Sequence, residues 1–107
     1  MEMTQPISEK ICTRSLKLLG DFWTLNIIDA LRGGELRYCD LQRAAGGVNP
    51  VTLGNRLRKL QDAGLIVRNA STDDISVAYK LTELGEAALP VLTAVDKFSR
   101  LLPHHDD

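Results

Sequence analysis

The chain has 107 residues, of which 44% are hydrophobic and 25% charged, which is typical of one small globular domain and too short for several. Its 13 basic and 14 acidic residues give a formal net charge of -1, so total charge alone does not indicate a polyanionic partner. No apolar run approaches the roughly 20 residues that cross a bilayer, and the polar amino terminus lacks the core of a signal peptide, which predicts a cytoplasmic protein without a membrane span.

Two helices are predicted in the first third of the chain, after an arm at residues 1–7 that is expected to be flexible. Ser8 is a suitable cap for the first helix, which has a mostly apolar face and ends at Gly20. The second helix runs from about residue 22 to residue 31, where a pair of glycines stops it. Both helices therefore fall within residues 8–32.

A helix-turn-helix unit is predicted next. Residues 35–37 form at most a strand fragment, which can serve as the third, edge strand of a small sheet. A short helix over about residues 38–45 follows, and Gly46 and Gly47 turn the chain toward another helix. Two short helices joined by a glycine-containing turn match the helix-turn-helix unit.

The second helix of that unit is the most informative element of the sequence. Asn49 can cap it through its side-chain oxygen, and Pro50 at the first helical position gives up an N–H that would have no partner. Gly64 ends it, because a left-handed residue is needed there to turn the chain away. On a helical wheel, one side carries Leu53, Leu57 and Leu60, and a second side, free to contact a partner, carries Thr52, Asn55, Arg56 and Lys59.

Positive charge is concentrated in the same part of the chain. Residues 1–48 contain six basic and six acidic side chains, residues 49–69 contain four and one, and residues 70–107 contain three and seven. A segment charge of +3 suits phosphate attraction and counterion release at a nucleic acid. The alternative is a solvated helix face that happens to be basic. Combined with the order of helix, stop and hairpin, the charge favours DNA.

A hairpin and a last helix complete the predicted fold. Residues 65–69 and residues 75–81 each show an alternating pattern with β-branched residues, and a polar turn lies between them. They are therefore predicted to form a hairpin that serves as a wing. Thr82 can cap the last helix, and Pro90 is expected to kink or split it. Its apolar surface is wider than a domain of this size needs, which predicts a homodimer in which the terminal helices pair across a two-fold axis. The alternative is that the last helix folds back on its own domain.

The chain resembles the HxlR-type winged helix-turn-helix transcription regulators over about residues 8–100. The matching blocks are Cys12, Gly20-Asp21-Phe22-Trp23, Leu36-Arg37-Tyr38, Leu57-Arg58-Lys59-Leu60, Gly64-Leu65-Ile66 and Tyr79-Lys80-Leu81-Thr82-Glu83-Leu84-Gly85. The resemblance implies a dimeric bacterial regulator that binds double-stranded DNA, and two-fold symmetry predicts a pseudo-palindromic operator.

The predicted fold class is therefore mostly α with a small β-hairpin wing, an α+β winged helix-turn-helix with terminal dimerisation helices. A single DNA-binding domain spans residues 1–107. Its parts are the flexible arm at 1–7, two helices within 8–32, the helix-turn-helix at 38–63, the wing hairpin at 65–81 and the carboxyl-terminal dimerisation helix at 82–102.

The resemblance places residues 49–59 on the recognition helix, which would contact base edges and phosphates of the DNA. Thr52, Asn55 and Arg56 are predicted to reach base edges, where an arginine–guanine or asparagine–adenine pair gives roughly 1–3 kcal/mol of discrimination. Arg58 and Lys59 are predicted to bind phosphates. Arg37 and Tyr38 are predicted to contact the DNA backbone from the start of the preceding helix. The full predicted DNA-binding set is Arg37, Tyr38, Asn49, Thr52, Asn55, Arg56, Arg58, Lys59, Arg68 and Asn69.

Three residues depart from what a DNA-binding helix and wing would favour. The wing carries Asp73 and Asp74, whose carboxylates repel phosphate, so Arg68 or Asn69 at its base is the better candidate. Gly54 inside the recognition helix costs on the order of 1 kcal/mol relative to alanine. It either allows close packing against the preceding helix or weakens its own.

Cys12 has two interpretations. At the head of a helix and close to Lys10 and Arg14, its thiol is favoured as the thiolate, which suits a sensor of oxidants or electrophiles, a role that some members of the family have. The alternative is a small apolar residue packed at the dimer interface. Two cysteines do not make a disulfide framework. His104 and His105 lie in the polar tail, so no metal site and no cofactor are predicted.

Enzyme chemistry is not predicted. No nucleophile, base and orienting residue recur at a recognisable spacing, and no glycine-rich phosphate loop follows a strand. The competing interpretation is a winged helix that serves as a protein–protein interaction module without DNA binding, which the acidic wing and the negative total charge support.

Overall fold

A computed structural model describes residues 13–70 and 77–103 of the chain. The predicted arm, the start of the first helix with Cys12, the tip of the wing with Asp73 and Asp74, and the two histidines lie outside the described residues. The helices are α1 (Thr13–Leu19), α2 (Phe22–Ala30), α3 (Tyr38–Ala44), α4 (Pro50–Asp62), α5 (Glu83–Ala87) and α6 (Leu89–Leu101), and a 3-10 turn at Leu31–Gly33 follows α2. The strands are β1 (Leu36–Arg37), β2 (Ile66–Ala70) and β3 (Val77–Leu81).

The three strands form one antiparallel sheet in the order β1-β3-β2. Leu36 lies opposite Tyr79, and Ile66 lies opposite Leu81, so the short β1 is an edge strand beside the hairpin. The fold is mostly helical with a small sheet, and the predicted winged helix-turn-helix class is confirmed.

The ends of α4 follow the local rules that the sequence indicated. The Asn49 side-chain oxygen accepts hydrogen bonds from the backbone N–H groups of Val51 at 2.8 Å and Thr52 at 3.4 Å. Beyond the last turn, Gly64 has φ 84°, the left-handed conformation that glycine adopts without a steric penalty. The predicted cap and stop are both confirmed.

The core lies between α2, α3, α4 and the inner face of the sheet. Apolar side chains at helical spacing on these helices are withdrawn from solvent, which supplies most of the stabilisation of a domain this small. The largest fully buried side chains are Ile27, Ile28, Leu31, Leu41, Leu53, Leu57, Leu60, Val48 and Thr24. The leucines of α4 thus form the packed side that the wheel predicted.

The carboxyl-terminal segment is two helices rather than one. The break falls at Ala88, and Pro90 lies in the first turn of α6, where its missing N–H removes no internal hydrogen bond. Thr82 caps α5 as predicted, since its hydroxyl oxygen accepts a hydrogen bond from the Gly85 N–H at 3.1 Å. Gly85 packs against the Leu65 carbonyl so closely that a Cβ there would lie 2.1 Å from that oxygen.

The terminal helices leave apolar surface uncovered within one chain. α1 has no buried residue, and on α6 only Leu92 is buried. The large hydrophobic side chains exposed on these two helices are Leu16, Val91, Val95, Phe98 and Leu101. Among the described helices, none has the length and apolar character needed to cross a bilayer.

Candidate nucleic-acid interface

The outward side of α4 is turned by one residue from the stripe that the sequence suggested. Val51, Asn55 and Arg58 are exposed and follow the same helical spacing on the side away from the buried leucines. Val51 is 71% exposed. The helical wheel also places these three residues on one side, but a valine gives no polar signal in the sequence.

Arg56 is held by a residue far away in the sequence. Its Nε donates to Asp21 Oδ2 at 2.8 Å and its Nη2 donates to Asp21 Oδ1 at 3.2 Å, a two-pronged pair in which both side chains are about 30% exposed. Two of its N–H groups are therefore already used inside the protein. The prediction that Arg56 reads a base stays a prediction.

Asp21 has a second role at the start of α2. Its Oδ2 accepts hydrogen bonds from the Thr24 backbone N–H and hydroxyl, both at 2.9 Å, so it also caps that helix. The hydrogen bond from Arg56 is the main reason that the pKa of Asp21 lies well below its usual range, and the Thr24 bonds lower it further while burial opposes them. The same pair raises the pKa of Arg56. The carboxylate is thus kept ionised and fixed between two helices.

Lys59 is tied to the same region of the fold. Its Nζ donates to the backbone carbonyl of Lys17 at 3.0 Å, near the end of α1. We call residues 17–21, where α1 ends and α2 begins, the α1–α2 corner. This corner binds Arg56 and Lys59, two of the four residues that the sequence placed on a free stripe.

The outward side of the amino-terminal half of α4 is exposed and uncharged. Residues 44–55 contain no Lys, Arg, Asp or Glu. Tyr38 supports this end of the helix from α3, with its hydroxyl 3.5 Å from the Pro50 carbonyl oxygen. The turn before α4 is held by Gln42, whose side-chain amide donates to the Val48 carbonyl at 2.8 Å. Side chains on this half are therefore presented from a fixed backbone.

The remaining predicted contacts flank α4 on the sheet. Arg37 and Arg68 are exposed on β1 and β2, and neither has an ion-pair partner among the described residues. Asn69 donates from its side-chain amide to Glu35 Oε1 at 3.3 Å, so it is partly committed. The side-chain oxygen of Asn49 caps α4, and Thr52 is half-buried.

A groove of about 970 Å³ lies between α1, the part of α4 from Asn55 onward and the α5–α6 region. Its walls combine apolar side chains with the cationic groups of Arg14, Arg58 and Lys59 and the carboxylate of Asp62. Residues of α1, α4, α5 and α6 form it, so no single stretch of sequence indicates it. Among the described residues, no group of three or more His, Cys, Asp or Glu could hold a metal ion.

Known proteins similar to this chain are transcriptional regulators. The HxlR-like helix-turn-helix family matches residues 18–106. An uncharacterized HTH-type transcriptional regulator of Methanothermobacter thermautotrophicus is 28% identical over 90 residues, covering 83% of this chain and 69% of that protein. A crystal structure from Porphyromonas gingivalis W83, described as a MarR-family regulator, has a TM-score of 0.80 at 30% identity and covers 94% of this chain and 97% of that one. The reduced form of the regulator YodB from Bacillus subtilis has a TM-score of 0.75 at 24% identity, with 98% and 100% covered.

Proposed function

The chain belongs to the HxlR-like helix-turn-helix family, and on that premise we propose that it is a dimeric, sequence-specific DNA-binding transcriptional regulator acting in the cytoplasm. The family and the relatives are transcriptional regulators, not enzymes. The observation that carries the proposal is the exposed outward side of the amino-terminal half of α4, supported by Tyr38 and Gln42, with cations further along the helix and on the neighbouring strands. Such an arrangement lets neutral groups meet base edges while cations meet phosphates.

The candidate residues differ in which of their polar groups are still free to bind DNA. Asn55 is exposed and without a hydrogen bond to the described residues, so its amide is available for an adenine edge. Arg58, Arg37 and Arg68 are exposed cations suited to phosphates. Arg56, already paired with Asp21, positions α4 and contributes to DNA binding mainly through its remaining N–H groups.

DNA binding is tested by selecting duplexes from a randomised pool with the full chain. We expect a pseudo-palindromic site whose affinity falls steeply as salt rises. Asn55→Ala should weaken binding about tenfold, since a lost amide–adenine pair costs roughly 1–3 kcal/mol. Gln61→Ala, an exposed change on the same helix, is the control and should bind normally. Failure to recover any duplex, with no salt-dependent binding, would favour the protein–protein interaction module.

The homodimer is proposed from the terminal helices. α1 has no fully buried residue, although Leu18 and Leu19 pack partly against the core, and α6 exposes Val95 and Phe98 at helical spacing. A second copy related by a two-fold axis would cover this surface and present two copies of α4 to one duplex. Val91 and Val95, which line the two grooves beside α6, belong to the same apolar surface.

Sedimentation equilibrium tests the dimer. Phe98→Asp places a charge on the exposed apolar side of α6 and should convert the dimer to monomers at micromolar concentration, with a large loss of operator affinity. Lys97→Asp changes a neighbouring exposed position and should leave the dimer intact. A wild-type chain that sediments as a monomer at all concentrations would refute the proposal.

A thiol switch at Cys12 is proposed on the sequence position of this residue before α1 and next to basic residues. The neighbour YodB has been solved in a form described as reduced, which makes thiol chemistry a reasonable expectation here. A thiol oxidant such as diamide should change operator affinity in the wild-type protein and in Cys39→Ser, which lacks the exposed cysteine of α3. Cys12→Ser should not respond. An equal response in both variants would show that Cys12 is not the switch.

A further inference from the structure

We infer that Val51 recognises the C5-methyl group of a thymine, and that each half of the operator therefore contains a thymine within two base pairs of the base contacted by Asn55. The inference rests on the proposed DNA binding and names the base that its recognition helix selects. It comes from three observations at the amino-terminal end of α4.

The first observation is the isolated exposure of Val51. Its side chain is 71% exposed, more than any other large hydrophobic among the described residues except Leu101. The other exposed hydrophobics lie outside α4, and Val51 lines neither of the two grooves beside the terminal helices. Val51 is therefore not an extension of the surface that a second subunit would cover.

The second observation is that this end of α4 has nothing suited to a phosphate. The N–H groups of Val51 and Thr52 already donate to the Asn49 side chain, and Pro50 has no N–H. Residues 44–55 are also uncharged. A phosphate at the first turn of α4 would find neither a free backbone N–H nor a cation, whereas an apolar group would find the valine methyls.

The third observation is the spacing between Val51 and Asn55. The two residues are four apart and share the outward side of α4, with a rise of about 6 Å along the helix. That distance spans about two base-pair steps of B-DNA at roughly 3.4 Å each. In the major groove the thymine methyl is the apolar group on a base edge, and adenine offers the donor and acceptor that pair with an asparagine amide. The two side chains therefore reach bases within about two base pairs of each other.

The experiment uses the duplex selected from the randomised pool by the wild-type protein. Each thymine is replaced in turn by 2′-deoxyuridine, which lacks only the methyl group. At one symmetric pair of positions we expect the wild-type affinity to fall about fourfold per half-site, the effect of losing one buried methyl. Val51→Ala should bind the thymine and deoxyuridine duplexes equally, and Gln61→Ala should discriminate as the wild type does. A thermal melt checks that Val51→Ala is folded.

Three results would overturn the inference, and they are distinguishable. If no deoxyuridine duplex weakens the wild type while binding stays specific and salt-dependent, the DNA-binding function stands and the methyl contact is refuted. If deoxyuridine weakens the wild type and Val51→Ala equally, another group reads the methyl. If selection recovers no duplex, the proposed function itself fails, and the inference fails with it.

Discussion

The two halves of α4 differ in how they use their side chains. In residues 50–55 the outward groups are neutral and lack partners on other elements, whereas in residues 56–62 two cations are bound to the α1–α2 corner. One half is thus available to a ligand, and the other fixes the helix to the rest of the protein. The difference shows that positive charge on a recognition helix is not by itself a measure of its contact with DNA.

The largest effect is expected from removing the contact that fixes the carboxyl-terminal half of α4. Asp21→Ala removes the cap of α2 and the partner of Arg56, and it should lower the free energy of unfolding by about 2–3 kcal/mol in urea denaturation. Asp21→Ser keeps a capping oxygen and loses the charge, so it should cost about 1–2 kcal/mol. The difference between the two variants isolates the cap.

A double-mutant cycle separates the ion pair from the other roles of each residue. Once Asp21 is alanine, Arg56→Ala should cost little more stability, because its partner is already gone, and a coupling energy of about 1–2 kcal/mol is expected. Additive losses would show that Arg56 does not anchor α4. The carboxyl-terminal half of α4 would then not be fixed to the α1–α2 corner through Arg56.

Local rules were sufficient to predict the limits of most elements. Asn49, Pro50 and Gly64 mark the ends of α4 because caps, proline and left-handed glycine act within a few residues of the chain. The same holds for Thr82, and for Pro90, whose ring is accepted only in the first turn of α6. These features can be read from sequence since their partners are sequence neighbours.

The ion pair between Arg56 and Asp21 could not be predicted in this way. The partners are 35 residues apart, and they meet only because α2 packs against α4 through the buried core. The helical wheel places Arg56 on a free stripe because a wheel contains no tertiary contacts, and an exposed valine such as Val51 carries no charge signal. Which side of a recognition helix is free depends on its neighbours, and those are set by tertiary packing.

The pH dependence of stability also tests the ion pair that fixes the carboxyl-terminal half of α4. Arg56 lowers the pKa of Asp21 in the folded protein, while the unfolded chain should titrate near about 4. The pair therefore stabilises the protein fully above that pH, and its contribution is lost as the pH falls toward the lower folded pKa. We expect the stability difference between wild type and Asp21→Ser to be constant from about pH 8 to 5 and to shrink by about 1 kcal/mol in acid. Urea denaturation at each pH measures it, and a difference that stays constant into acid would contradict the assigned cause.

Gly54 lies in the amino-terminal half of α4, and its substitution has the smallest expected effect. A Cβ built at this position meets no atom within 4 Å, so close packing against α3 does not explain the glycine. Gly54→Ala should raise the free energy of unfolding by about 0.8 kcal/mol through helix propensity. If DNA approaches the backbone here, the added methyl should also weaken operator binding by about fivefold. Gly33→Ala, likewise in open space but away from α4, is the control, and operator binding should be unchanged. A Gly54→Ala protein that is more stable and binds normally would mean that DNA does not use this space, which would place the contact of α4 nearer its first turn.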